Sequence, residues 1–319
     1  MRHVLDSLPI PEGERFLTGF ANSEDAAVFK LDRERGLVFS IDVITPLVDD
    51  PELFGAIAAA NALSDIYAMG GQGLLSLGFL GTPKGFPVEI TAAIAKGGAE
   101  LAQDEGAPVV GGHSVESKDL MYGLAVVGLA DPEALFTNDA FAVGDELLLT
   151  KPLGTGTLTT ALKQRKLEDR DVSDALAGMR QTNRAAVDVA LEHGVRAVTD
   201  ITGFGLLGHT AEVASASGVC AVISERDVPE YSGAREAIKN GYVTRGESTN
   251  PEYVRSLGPL AGDPESLLFD PQTSGGLLIG VARERSESLL RALRAAGFEH
   301  ATRIGRVEAG AGIRVVETA

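Results

Sequence analysis

Hydrophobic residues recur along the chain with two different spacings, and the alternation between them predicts repeated strand and helix units. Short apolar runs bounded by glycine or polar turns, at residues 37–41 and 73–81, predict strands, the second of them buried. Stretches with apolar residues three and four positions apart, at 51–69 and 87–104, predict helices. The first half of the chain is therefore predicted to be rich in βαβ units.

The second half of the chain continues the same alternation. Residues 146–151 predict a strand, 171–193 predict one long helix, and residues 197–201 predict a strand that carries Asp200. A helix over 284–296 and two terminal strands follow, whereas the stretch before them has only weak signals. The pattern as a whole predicts an α/β or α+β fold.

A polar, turn-rich run at residues 131–145 separates the two halves. We place the domain boundary there, which predicts an N-terminal domain over 1–143 and a C-terminal domain over 144–319. A chain of 319 residues can bury a substantial core in two such domains. Its content of 44% apolar and 23% charged residues is ordinary for a soluble globular protein.

Charge and hydropathy exclude several classes of partner. A net charge of −17 argues against binding to nucleic acid or to an anionic membrane surface. The longest apolar runs are far shorter than a membrane span and no signal-like segment follows Met1, so we expect a cytoplasmic protein. The single cysteine, Cys220, cannot form an internal disulfide, and we interpret it as part of the core packing of a strand.

The helix predicted at 51–69 has a well-defined start and an unusual end. Asp50 is a good N-cap and Pro51 suits the first helical position. Asp65 lies near the C-terminus, where the helix dipole disfavours a carboxylate by roughly 0.3–1 kcal/mol. Asp42 is expected at the end of the preceding strand. The two carboxylates therefore suggest a cation between them.

Four aspartates share one local context, because each lies at the edge of an apolar element beside a glycine-rich or polar turn. They are Asp25, Asp42, Asp65 and Asp200. Carboxylate oxygens suit Mg²⁺, Mn²⁺ or Ca²⁺. Aspartates at strand ends and helix caps are also common for structural reasons, and the spacing alone does not establish that these four converge. A metal site and four separate structural roles both remain open at this point.

Three glycine-rich segments are candidate phosphate-binding loops, namely residues 111–114, 152–156 and 202–208. None has the Gly-Lys-Ser/Thr end of a Walker motif. The third matches G-x-G-x-x-G after a predicted strand, and Glu225 follows where a ribose-binding acid is expected, so a dinucleotide site is the rival interpretation. Asp200, just before the first glycine, argues against it because a carboxylate repels a pyrophosphate. His113 in the first segment is a phosphate contact or an ordinary turn histidine.

Taken together and in order, several long stretches resemble the signature segments of the selenophosphate synthetase (selenide, water dikinase) family. They are SEDAAVF, SIDVITPLVDDPELFGAIAAANALSDIYAMGG, VVGGHSVESKDLMYGLAVVGLA, LTKPLGTGTLTTA, VTDITGFGLLGH and DPQTSGGLL. The resemblance implies the two-domain fold of the superfamily that includes aminoimidazole ribonucleotide synthetase. In that fold the N-terminal domain forms a dimeric β-barrel and the C-terminal domain is α/β.

The resemblance also implies a reaction and a set of binding residues. The family converts ATP, selenide and water into selenophosphate, AMP and phosphate, with Mg²⁺ as cofactor and as a homodimer. The four aspartates match its metal and ATP-phosphate carboxylates, Asp25, Asp42, Asp65 and Asp200. Its nucleotide-contacting stretches match Asn22, Ser23, Glu24, Gly112, His113 and Ser114, together with Asp42 and Asp65.

The sequence departs from the family pattern near its start. Members carry a glycine-rich loop with a catalytic Cys or selenocysteine and a nearby Lys before the position of Asp25, whereas here no Cys precedes Cys220 and no Lys precedes Lys30. We therefore assign no catalytic residue and expect Mg-ATP binding with little or no selenophosphate synthesis. A truncated chain, a downstream start after a selenocysteine codon, or a paralogue explains the departure. A non-catalytic ATP-binding paralogue and another ATP-dependent enzyme of the superfamily are the alternative functions.

Overall fold

The computed structural model describes residue 9 and residues 13–19 and 23–318, and it contains two mixed β-sheets with helices packed on them. Its α/β character agrees with the sequence pattern. Among these described residues, no helix has both the length and the apolar character needed to cross a membrane.

The first sheet has six strands in the order β1-β2-β3-β6-β4-β5, in which only β4 and β5 are parallel to each other. In chain order the elements of this half are β1 (Phe16–Thr18), β2 (Ala27–Lys30), β3 (Gly36–Ile44), α1 (Pro51–Ala68), β4 (Gln72–Thr82), α2 (Val88–Asp104), β5 (Val109–Glu116) and β6 (Met121–Ala130).

The second sheet has seven strands in the order β10-β13-β9-β12-β7-β11-β8. In chain order, the second half of the chain begins with β7 (Asp145–Leu149), α3 (Thr155–Lys163), α4 (Ser173–Arg180), α5 (Arg184–Glu192), β8 (Ala197–Asp200), α6 (Gly205–Ser217) and β9 (Cys220–Ser224). It continues with α7 (Ala234–Lys239), α8 (Arg245–Leu257), β10 (Leu260–Ala261), β11 (Leu277–Ala282), α9 (Arg283–Ala295), β12 (Thr302–Glu308) and β13 (Gly312–Val316).

Helix α1 is the central helix of the molecule, and its predicted start is confirmed. Oδ1 of Asp50 accepts hydrogen bonds from the backbone N–H of Glu52 at 2.9 Å and of Leu53 at 3.1 Å. The helix is buried along nearly its whole length, because it lies between the first sheet, α2 and elements of the second half. A Cβ placed on Gly97 of α2 would lie 2.0 Å from the carbonyl oxygen of Glu52, so the two helices are in backbone contact.

Three local predictions are wrong, each because a partner distant in sequence decides the local structure. The strand that contains Asp42 continues to Ile44, because β3 pairs with β6 along its full length, so Asp42 lies inside a strand rather than at its end. Residues 111–114 are not a loop but part of β5, held in parallel register with β4. The helix predicted at 171–193 is two helices, α4 and α5, separated at residues 181–183.

The first sheet is buried on one face only, so the prediction that residues 73–81 form a fully buried strand is also wrong. Val38 is completely buried under α1, whereas Phe39 and Ile41, on the opposite face of β3, are 47% and 61% exposed. Leu77 on β4 and Val110 on β5 are also exposed, at 45% and 62%. Strand alternation thus produces an apolar face that none of the residues described by the structure covers.

Candidate functional site

The four aspartates singled out from the sequence come from four separate elements and lie within electrostatic range of one another. Asp25 precedes β2, Asp42 lies in β3, Asp65 in α1 and Asp200 at the end of β8. Burial raises the pKa of the first three carboxyl groups, and repulsion by Asp200 raises it further. The two sheets and α1 therefore bring their acidic side chains to one place.

Asp42 is held by two groups of the first half, one of which contacts the second half. Its Oδ1 accepts from the backbone N–H of Val43 at 3.0 Å, and its Oδ2 accepts from the side-chain amide of Asn61. The Oδ1 of Asn61 in turn accepts from the backbone N–H of Ser274 at 2.7 Å. Asn61 was recognised in the sequence only as sharing a helix face with Asp65, and its contact with Ser274 depends on the packing of the two halves.

Asp65 and Asp25 each accept a hydrogen bond from a hydroxyl group on a neighbouring strand. The Oγ of Ser40, on β3, donates to Asp65. The Oγ1 of Thr199, on β8, donates to Oδ1 of Asp25 at 3.2 Å. Both residues are half-buried.

Asp200 is the most deeply buried of the four, at 1% exposure. Burial raises its pKa, while His209, a hydrogen bond from Ser64 and the Lys151 ammonium act in the opposite direction. Its Oδ2 has no hydrogen-bond partner among the described residues. A buried carboxylate oxygen without a donor is costly, so this atom is suited to a bound cation.

Within the part of the chain that the structure describes, no three His, Cys, Asp or Glu side chains are close enough to hold a metal ion by themselves. This arrangement still suits Mg²⁺, which usually takes one or two protein carboxylates and completes its shell with water and phosphate oxygens. The donor set is all oxygen, and the mutual repulsion of the aspartates favours a cation between them. The residues therefore fit a magnesium ion that takes one or two of these carboxylates.

Ser23 and Glu24 lie beside Asp25 and are tied to the connection between the two halves. The side-chain amide of Asn138 donates to the carbonyl oxygen of Ser23 at 2.7 Å, and its backbone N–H donates to Oε2 of Glu24 at 3.2 Å. Burial raises the pKa of Glu24 to about 7. Asn22, the third predicted residue of this stretch, lies outside the described residues.

Gly112, His113 and Ser114 are not brought to the aspartates within one chain. Asp42 pairs across the sheet with Leu124 on β6. Leu124 pairs with Gly78 on β4, which pairs with Gly112 on the edge strand β5. Three strand spacings separate Asp42 from Gly112, which amounts to about 14 Å. His113 and Ser114 follow on the same strand and are exposed.

The glycine-rich segment at 152–156 is already occupied by side chains of the protein. Oε1 of Gln272 accepts from the backbone N–H groups of Gly154 at 2.9 Å and Thr155 at 3.0 Å. Oδ2 of Asp270 accepts from the next two, those of Gly156 and Thr157, at 3.1 and 3.2 Å. The N-terminus of α3 therefore has its donors satisfied internally, and the sequence interpretation of this segment as a phosphate loop is wrong.

The G-x-G-x-x-G segment at 202–208 does not belong to a dinucleotide-binding unit. Such a unit needs two adjacent parallel strands on either side of its helix. Here β8, which precedes the segment, is the last strand of the sheet, and among the described strands it pairs with β11 alone. Strand β9, which carries the chain to Glu225, lies on the far side of β12, β7 and β11. The rival interpretation is therefore excluded.

Several buried polar residues near the aspartates could not be predicted from the sequence. Lys151 and Asn183 are 2% and 1% exposed, and Ser64 and Ser274 are each 1% exposed. Lys151 and Ser274 lie in two of the quoted family-like stretches, LTKPLGTGTLTTA and DPQTSGGLL. The presence of a lysine or serine inside such a stretch was the only signal in the sequence. That signal does not show which atoms the side chain contacts in the fold.

Comparison with known proteins agrees with this architecture. The chain matches the family model of the AIR synthase related protein N-terminal domain over residues 23–130, and that of the corresponding C-terminal domain over residues 142–317. Among solved structures, it superposes on thiamine monophosphate kinase from Aquifex aeolicus with a TM-score of 0.68 at 22% identity, covering 89% of each chain. Hydrogenase maturation protein HypE in complex with ATP superposes with a TM-score of 0.69 at 21% identity, covering 97% of this chain and 86% of the other.

Relatives with higher sequence identity have one name in common. Selenide, water dikinase 2 of Peptoclostridium acidaminophilum is 41% identical over 307 residues, which cover 95% of this chain and 88% of the relative. Selenide, water dikinase of Bdellovibrio bacteriovorus is 43% identical over 290 residues, covering 89% and 83%. Identity at this level over nearly the whole length shows the family, and the family models show the fold. The chain belongs to the selenide, water dikinase family and has the two-domain fold of the AIR synthase related proteins.

Proposed function

We propose that this protein is a magnesium-dependent selenide, water dikinase that converts ATP, selenide and water into selenophosphate, AMP and phosphate. The observation that carries the proposal is that Asp25, Asp42 and Asp65 all lie within electrostatic range of Asp200, whose buried Oδ2 has no hydrogen-bond partner among the described residues. The ATP complex of HypE, which has the same fold, supports ATP as the ligand.

In this proposal the aspartates hold the cation, and the cation holds the triphosphate. Asp25, Asp42, Asp65 and Asp200 are the metal residues. When bound, Mg²⁺ neutralises phosphate charge that the carboxylates alone would repel. Nucleotide contacts are assigned to Asn22, Ser23, Glu24, Asp42, Asp65, Gly112, His113 and Ser114. For Gly112, His113 and Ser114 the support is the family resemblance alone, because β5 lies far from the aspartates of its own chain.

We also propose a homodimer, with the domains at 1–143 and 144–319. The exposed apolar face of the first sheet supports the homodimer, because a partner surface would bury its exposed side chains, Phe39, Ile41, Leu77 and Val110. A second copy of the same sheet is the occupant that the family resemblance implies. The cytoplasmic location stays a prediction from the sequence.

Calorimetric titration with Mg-ATP tests the binding part of the proposal. Asp200→Asn keeps the shape of the side chain but removes its charge, and we expect it to weaken Mg-ATP binding by at least about tenfold. Asp188→Asn, an exposed aspartate on α5, is the matched control and should bind as the wild type does. Equal affinity in Asp200→Asn and wild type would contradict the assignment.

Product analysis then separates an enzyme from a non-catalytic ATP-binding paralogue. The 319-residue chain and a version extended by a glycine-rich loop with Cys and Lys are incubated with Mg-ATP and selenide. The proposal expects selenide-dependent AMP from the extended protein, and we predict little from the shorter one. Mg-ATP binding without AMP or ADP from either protein would favour the paralogue.

A further inference from the structure

Lys151 is a buried lysine whose side-chain amino group is held by main-chain carbonyl groups. It follows β7 and is 2% exposed. Its Nζ donates to the carbonyl oxygen of Gln181 at 2.5 Å and to that of Ser274 at 2.9 Å. Because a buried ammonium group without acceptors is very costly, these two carbonyls must stay directed at it while it is charged. Lys151 therefore determines where two segments of chain lie.

The first segment leads from Lys151 to Asp42. Ser274 is in the left-handed region, with φ 47°, so its carbonyl points to Lys151 while its N–H points to α1. That N–H donates to Oδ1 of Asn61 at 2.7 Å, and the amide of Asn61 donates to Asp42. Ser274 and Asn61 thus connect the ammonium group to one of the four carboxylates.

The second segment leads from Lys151 to Asp200. Gln181 ends α4, at the break that separates α4 from α5. Two residues later, the side-chain amide of Asn183 donates to Oγ of Ser64 at 3.0 Å and to the carbonyl oxygen of Gly275 at 2.9 Å. Ser64 in turn interacts with Asp200 and lowers the pKa of its carboxyl group. The break between the helices is therefore what allows Asn183 to reach this site.

We propose that Lys151 is a positioning residue, which sets the spacing of Asp42 and Asp200 by holding Ser274 and Gln181. The inference rests on the proposed function, because the spacing matters only if the carboxylates share a cation with ATP. Lys151 acts through its neighbours and not by contact with the nucleotide, since it is buried and its two hydrogen bonds go to main-chain atoms. Groups that orient metal ligands in this way typically change metal affinity 10- to 100-fold when removed.

Lys151→Met tests the proposal, because methionine retains an apolar stem but cannot donate to either carbonyl. We expect the Kd for Mg-ATP to rise by roughly 10- to 100-fold in a protein that circular dichroism shows to be folded. Lys166→Met, at an exposed lysine in the same half, is the control and should keep the wild-type Kd. An unchanged Kd in Lys151→Met overturns the proposal.

A double-mutant cycle with Asn61→Ala distinguishes positioning from general stabilisation. If Lys151 acts on Asp42 through Ser274 and Asn61, part of its effect should disappear once Asn61 is removed, so the double variant should lose less affinity than the product of the two single losses. Losses that multiply would mean independent effects and would refute the connection. Should Lys151→Met fail to fold, Lys151→Gln takes its place, since glutamine retains a donor for one carbonyl, and the same two outcomes decide.

The outcomes also separate this inference from the proposed function. Mg-ATP binding by the wild type that is lost in Asp200→Asn, together with a wild-type Kd in Lys151→Met, overturns only the role of Lys151. A wild-type protein that does not bind Mg-ATP overturns the proposed function itself.

Discussion

Asp270 offers a sharp test of how the N-terminus of α3 is stabilised. Its carboxyl group is 1% exposed and accepts from the backbone N–H groups of Gly156 and Thr157, while its Oδ1 has no partner among the described residues. Burial raises its pKa from 3.8 to about 7, although these hydrogen bonds act in the opposite direction. The folded protein therefore holds a proton on Asp270 at pH values where the unfolded chain does not.

The sign and size of the effect follow from linkage. Between pH 4 and 7 the folded state binds more protons at this group than the unfolded state, so the free energy of unfolding falls as the pH rises. One pKa unit corresponds to about 1.4 kcal/mol, so the two units between pH 5 and 7 amount to about 3 kcal/mol. The contribution of Asp270 is complete below pH 4 and is lost as the pH rises through 7.

The perturbation is Asp270→Asn, which retains the acceptor oxygen but cannot titrate. Urea unfolding is measured at pH 5, 6, 7 and 8, with a chelator present so that no metal binds the carboxylates. We expect the stability of the wild type relative to the variant to decrease by about 3 kcal/mol between pH 5 and 8. Asp263→Asn, at an exposed position, should follow the wild type at every pH. A wild-type-minus-variant difference that does not change with pH would refute the reasoning.

Two further predictions concern packing. Gly97→Ala places a Cβ 2.0 Å from the carbonyl oxygen of Glu52, so α1 and α2 must separate, and urea unfolding should show a loss of stability of about 1–3 kcal/mol or more. Gly203→Ala is the control, because nothing lies within 4 Å of its added Cβ, and it should cost far less. Equal losses of stability in the two variants would contradict the explanation. Ile41→Glu puts a charge on the exposed apolar sheet face and should convert the proposed dimer to a monomer in light scattering, whereas Val88→Glu, 74% exposed but outside that sheet, should leave the mass unchanged. A dimer that persists in Ile41→Glu would argue against this interface.

Local signals predicted the elements whose partners are close in sequence. The start of α1 at Asp50 and Pro51 could be read directly, because a cap and the N–H groups that it satisfies lie within one helical turn. The same holds for the strand that carries Asp200 and for the helix at Val88–Asp104. The aspartates were recognised by context and by family resemblance, and both signals are local stretches of sequence.

Errors occurred where distant contacts override local pattern. Residues 111–114 contain two glycines and look like a loop, but β4 supplies the backbone hydrogen bonds of a strand. The apolar spacing at 171–193 is continuous, yet the helix is interrupted at residues 181–183. There the carbonyl of Gln181 and the side chain of Asn183 have hydrogen-bond partners elsewhere in the fold. A glycine-rich helix start suits phosphate in sequence, and here Asp270 and Gln272 take that place.

The sequence by itself determined the alternation of strands and helices, the capped start of α1 and the family, because each depends on residues within a short window. Only the tertiary structure decided which polar groups meet. Ser274 and Asn61 are 213 residues apart and nevertheless share a hydrogen bond. No periodicity or motif spacing encodes such a contact, since it depends on how two sheets and α1 pack. The position of Lys151 beneath the aspartates was for the same reason visible only in the folded chain.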